Sequence, residues 1–116
     1  MYIRSMNKSA LYKGCLEPIL LQLLHDQGRM YGYEITQKVR ELTKGELQIT
    51  EGALYPLLHR LEDQGVLRVE MENIGNRVRK YYSLTPAGSR ERGRAESELH
   101  SFLQTLQILL KPNPAV

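Results

Sequence analysis

Thr85-Pro86 and Pro112 bracket a run of roughly 25 residues without another proline, and that bracket limits the possible folds more than any other feature. The Thr85 hydroxyl suits an N-cap, and a proline in the first helical position lacks only an N–H that no helix uses. Pro112 in turn cannot continue a helix. A helix of ~25 residues is ~37 Å long, more than the width of a small domain. Its apolar residues Leu99, Phe102, Leu103, Leu106 and Leu110 recur at spacings of three and four, and little else in the chain is left to cover them. The far end is therefore expected to pack against a second copy, with Leu16 and Leu20 of the first helix sharing a twofold contact. The alternative is that it folds back along its own domain. Gly88 and Gly93 weaken its first part and are expected to bend it.

At 116 residues the chain is read as one domain with a single modest core. From Leu11 to Gln27 the residues Leu16, Ile19, Leu20, Leu23 and Leu24 mark one helix face, with Pro18 tolerated early and Gly28 as the stop. A second helix is expected after Gly32, with Ile35, Val39 and Leu42 as its buried stripe, ending near Gly45. Leu47 and Ile49 alternate with polar residues, and Thr50 is a good N-cap for a third helix whose core side is Leu54, Leu57, Leu58 and Leu61. Its outer side is Gly52, Pro56, His59 and Asp63, flanked by Ala53, Tyr55 and Arg60, and Gly65 ends it. Leu67, Val69 and Met71 then alternate with Arg68, Glu70 and Glu72. After the turn residues Asn73 to Asn76, Val78, Tyr82 and Leu84 complete a β-hairpin of undetermined register.

Three helices, a hairpin and a long helix make a mainly α chain with a small β-hairpin (α+β): a winged helix-turn-helix plus a long C-terminal dimerisation helix. Residues 7–85 are expected to form the DNA-binding unit and 86–111 the dimerisation helix, with 1–6 and 112–116 as flexible tails. Either Met1 or Met6 suits the start.

Sixteen Lys and Arg against thirteen Asp and Glu give a net charge of +3, but placement matters more than the sum. No acid precedes Glu17, whereas Arg4, Lys8 and Lys13 do, and between Asn73 and Arg90 four basic residues occur without an acid. Such patches suit a nucleic-acid partner. The lone Cys15 excludes an internal disulfide and fits a reducing compartment; no apolar run approaches a membrane span, so a cytoplasmic protein is expected. Cys15, His25, His59 and His100 are scattered, without the convergence that a catalytic or metal site needs; no enzyme, metal or cofactor is expected.

The stretches "MYGYEI" (Met30 to Ile35), "EGALYPLLHRLEDQG" (Glu51 to Gly65) and "RKYYSLTPAG" (Arg79 to Gly88) resemble, in order and spacing, the signatures of the PadR-like transcriptional regulators. The likeness runs from about Asn7 to Lys111 and is to the short subfamily with a single terminal helix. It implies a bacterial homodimeric repressor that binds an inverted-repeat operator and is released by a small-molecule effector, whose identity no polar constellation names. The sequence departs from many relatives in lacking a proline before Arg77, and it has no tryptophan, so no indole pair is available to sandwich flat drugs.

Within that resemblance Thr50, Gly52, Ala53, Tyr55, His59 and Arg60 are expected nearest to double-stranded DNA. A residue without a side chain lets the backbone approach closely, helix N-termini favour phosphates, and Pro56 sets the angle of the helix end. Plainer roles stay open: half-buried packing for Tyr55, a solvated surface for His59, an i,i+3 pairing with Asp63 for Arg60. At the hairpin Arg77, Arg79 and Lys80 are expected on phosphates, where grouped cations release counterions; Lys8 and Lys13 are further candidates. An effector is expected near Cys15, Tyr31 or Phe102. The competing reading is a winged-helix protein-interaction module without DNA binding.

Overall fold

The computed structural model describes residues 8–111, so the expected tails at 1–6 and 112–116 lie outside the described residues. In chain order the elements are α1 (Lys8–Lys13), α2 (Leu16–Gln27), β1 (Met30–Tyr31), α3 (Gly32–Leu42), α4 (Glu51–Asp63), β2 (Leu67–Ile74), β3 (Arg77–Leu84) and α5 (Pro86–Leu110).

The expected single first helix is two. The Cys15 N–H donates to the Tyr12 carbonyl at 2.8 Å, closing a tight turn between α1 and α2. Pro18 supplies a reason: with no N–H it cannot serve the carbonyl of Gly14, and glycine itself favours a break. Restarting at Leu16 places Pro18 in a first turn, where no donor is needed.

The hairpin is joined by a third strand that periodicity did not reveal. The strand order is β1-β3-β2, all antiparallel, with Met30 opposite Tyr82 and Tyr31 opposite Tyr81. On the other edge of β3 the register runs from Leu67 opposite Leu84 to Ile74 opposite Arg77. The loop is therefore two residues, Gly75 and Asn76, and Gly75 takes the positive φ of 59° that a tight hairpin turn demands at its first position.

Side chains cap both long helices. Thr50 Oγ1 accepts from the Ala53 N–H at 3.2 Å, and Thr85 Oγ1 accepts from the Gly88 N–H at 3.0 Å. Thr85 also donates through its hydroxyl to the Gly65 carbonyl at 2.6 Å, which ties the start of α5 to the end of α4. The core lies between α2, α3, α4 and the inner sheet face: Leu20, Leu21, Leu24, Ile35, Leu54, Leu58, Leu61 and Tyr82 are fully buried. Each such leucine contributes about 1.5–3 kcal/mol by leaving water.

The first half of α5 lies on α2. Ala95 is buried there, and Arg92 donates to Gln22 Oε1 at 3.0 Å. Beyond Leu99 the helix outruns the domain, leaving Phe102 53% and Leu110 76% exposed. The described chain measures 64 × 35 × 22 Å with a radius of gyration of 17.2 Å. A compact chain of this length would have about 13 Å. No described helix is long and apolar enough to cross a membrane.

Candidate nucleic-acid interface

The α3–α4 pair and the β2–β3 hairpin form the helix-turn-helix and its wing. Around α4 the structure divides the expected DNA-facing residues into two strips. Gly52, Ala53 and Arg60 border a groove of about 850 Å³ shared with α2 and α5, whose other walls include Cys15, Leu99 and Phe102. Arg60 does not pair with Asp63 one turn on: its guanidinium meets Glu17 of α2 at 2.9 Å. Tyr55 and His59 occupy the other strip, with ring centroids 6.4 Å apart. Tyr55 is 37% exposed and lies over the start of α3, so close that a Cβ on Gly32 would sit 2.5 Å from its hydroxyl. Pro56 is exposed on the groove side, where its missing N–H leaves the Gly52 carbonyl without the usual helical donor. Around Gly52 itself the fold is open, the nearest atom to a hypothetical Cβ being Thr50 Oγ1 at 4.0 Å.

A polar strip not anticipated from sequence adjoins the helix start. Tyr33, Thr36, Gln37 and Arg40 of α3 face Gln48 and Glu51 across a shallow groove of about 180 Å³. The available signal was the run of polar residues on the side of α3 opposite Ile35 and Val39.

On the wing, Arg77 and Lys80 are exposed and Arg79 is half-buried. Among the described residues none of the three is in an ion pair with a carboxylate. Acids are nevertheless close, contrary to the impression left by the acid-free run: Glu72 lies directly across from Arg79, and Glu70 across from Tyr81. Both carboxylates are taken by Arg29, which enters from the residue before β1. Sequence reasoning missed Arg29, although the alternation of Glu70 and Glu72 along β2 did put them on one face.

That outer face is built around two tyrosines. Tyr31 and Tyr81 meet edge to face at 5.5 Å, the Arg29 guanidinium lies 4.2 Å over Tyr81, and that of Arg79 lies 4.3 Å over Tyr31. Guanidinium planes favour such aromatic faces. The Arg29 pKa is raised, first by its hydrogen bond to Glu72, and that of Arg79 is raised, first by its polar contact with the Tyr81 hydroxyl. On the inner face, burial pushes the Tyr82 phenol up.

Lys8 is paired with Glu46 of the α3–α4 loop, while Lys13 is exposed beside the larger groove. Cys15 is half-buried on that same groove. Phe102 lines this groove as well and Tyr31 does not, so two of the three alternatives named for an effector share one groove. Leu16 and Leu99 both reach the groove. Leu20, expected at a dimer contact, is instead 1% exposed within its own protomer: it is a core residue, because the α2 side that carries it faces the sheet.

Residues 20–94 match the family model described as "Transcriptional regulator PadR-like family". The chain is 36% identical over 84 residues to an uncharacterised protein of Lysinibacillus sphaericus, a match covering 72% of this chain and 76% of that protein. It is 38% identical over 72 residues to "Transcriptional regulator Rv3488" of Mycobacterium tuberculosis, covering 60% of this chain and 64% of that one, just under two thirds. Among solved structures, a transcriptional regulator from Clostridium thermocellum superimposes with a TM-score of 0.82 at 29% identity, covering 89% of this chain and 100% of that chain.

Proposed function

The chain belongs to the PadR-like family of DNA-binding transcriptional regulators, which are not enzymes, and from that premise we propose that it is a cytoplasmic homodimeric repressor of an inverted-repeat operator, relieved by a small-molecule effector. In this reading residues 7–85 are the winged-helix DNA-binding unit, and 86–111 form the dimerisation helix.

The observation that carries the DNA reading is the wing. Arg77, Arg79 and Lys80 stand on β3, the strand paired with the β2 on which α4 packs, and among the described residues they have no carboxylate of their own, while neighbouring acids are held by other donors. Such cations suit the phosphate backbone, whose contacts position a protein without reading sequence. Thr50, Gly52, Ala53, Tyr55 and His59 are then presented toward the major groove. Arg60 contributes there only by giving up Glu17, which makes it the weakest member of the set.

Dimerisation is supported by the overhanging end of α5. Phe102, Leu103, Ile108, Leu109 and Leu110 are all exposed, and Leu106 is half-exposed. A helix with that much apolar surface in water is expected to find a partner. Leu16 at the rim of the groove extends the same surface.

The test is a binding titration with duplexes carrying the intergenic DNA beside the gene, against a random duplex. Replacing Arg77, Arg79 and Lys80 by Gln is expected to weaken binding to both duplexes alike and to lower the salt slope by about one for each phosphate that is no longer neutralised. An unchanged affinity and slope would move the assignment to a winged helix that binds protein.

A further inference from the structure

Arg79 is ringed by acids, yet each is engaged elsewhere. Glu34 accepts from the Tyr31 N–H at 3.1 Å as part of the cap of α3. Glu70 accepts from Arg29 Nη1 at 3.4 Å, and Glu72 accepts from Arg29 Nη2. Glu72 is the cross-strand neighbour of Arg79, and adjacent strands run only about 5 Å apart. Left alone, those two side chains are placed to form a cross-strand ion pair. In the structure Arg79 lies instead over the ring of Tyr31, and Glu72 has turned to Arg29.

Resting on the wing reading above, we propose that Arg29 is a positioning residue for DNA binding: by holding Glu70 and Glu72 it keeps Arg79 free to meet a phosphate. The interaction runs diagonally over the sheet. Arg29 precedes β1, crosses the Tyr81 ring and ends on β2, while Arg79 of the central strand crosses Tyr31 in the opposite sense. The tyrosine pair thus gives each arginine its own track and prevents the two cations from competing for one carboxylate. Removing Arg29 has two effects of one sign. It bares two negative charges beside the wing, and it offers Glu72 to Arg79, closing the phosphate site internally. Both effects fade with added salt, since the groups are near the surface.

The experiment measures duplex affinity against salt for the full chain and for Arg29→Gln, Arg79→Gln, Glu72→Gln and the combination of Arg29→Gln with Glu70→Gln and Glu72→Gln. Arg29→Gln is expected to weaken binding about three- to tenfold at low salt and to lower the salt slope by about one, matching Arg79→Gln. The triple variant is expected to return to within about twofold of the parent, since the acids that needed holding are gone. Glu72→Gln alone is expected to bind as tightly as the parent or more so, a result that a purely structural role for the Arg29–Glu72 pair would not produce. Normal affinity in Arg29→Gln, failure of the triple variant to recover, or weakened binding by Glu72→Gln each overturns the role of Arg29. Normal affinity in Arg79→Gln overturns the wing reading itself, and this role with it.

Discussion

Three glycines look alike in the sequence and differ in what surrounds them. A Cβ on Gly88 would lie 2.1 Å from the Val66 carbonyl oxygen, which cannot retreat because it also accepts from the Thr85 N–H at 3.1 Å. Gly88→Ala is expected to cost about 1–3 kcal/mol or more, since backbone must shift. The obstacle at Gly32 is the end of the Tyr55 ring, which has solvent to swing into. Gly32→Ala is therefore expected to cost no more than about 1 kcal/mol, yet to displace Tyr55 and weaken DNA binding. At Gly52 nothing lies closer than 4.0 Å, so Gly52→Ala is expected to gain up to about 1 kcal/mol in stability and to lose affinity for DNA. Urea unfolding and duplex titration of the three variants check both orders. Gly52→Ala with normal affinity would mean that DNA does not approach the backbone there. Gly88 lets the start of the long helix pack against the α4–β2 junction.

Elements announced by their own neighbours were legible in the sequence. Thr50 and Thr85 cap helices because hydroxyl and N–H lie three residues apart, and the leucines of α4 repeat at helical spacing. Features made by distant residues were not legible. The two-residue strand β1 shows no alternation, and only its pairing with Tyr81 and Tyr82 makes it a strand. For the same reason the sequence offers Arg60 only Asp63 of its own helix and not the distant Glu17, and it offers Arg29 no sign of Glu70 or Glu72. The central strand β3 also carries a pH prediction through Tyr82, whose phenol is pushed up by burial. A phenol held protonated in the folded state contributes stability that is complete below its ordinary pKa of about 10 and is lost as pH rises through the higher folded value. Alkaline unfolding is accordingly expected to set in above about pH 10 and to be shallower in Tyr82→Phe. Identical alkaline profiles would mean that Tyr82 ionises as easily folded as unfolded.

At the scale of the whole molecule, the proposal that requires most of the chain is the twofold pair. The overhang of α5 is apolar over Ile108, Leu109 and Leu110, each more than 70% exposed, and continues back through Leu103 and Phe102 to Leu99 at the larger groove. One wing and one α4 make a small footprint, whereas two of each, joined rigidly, turn the second contact into an intramolecular one. Affinity for a full inverted repeat should then depend on the overhanging end of α5. Leu103→Glu and Leu110→Glu place carboxylates in the proposed interface, and twofold symmetry makes each count twice. A penalty of about 3 kcal/mol or more would weaken association by over about a hundredfold. Sedimentation is expected to show a folded monomer, and duplex titration a large loss on an inverted repeat with little loss on a single half-site. A variant that stays dimeric would move the interface away from the α5 overhang. A monomer that still binds the full site as tightly as the parent would show that each winged helix acts alone, and that the exposed stripe on α5 serves some contact other than DNA binding by a pair.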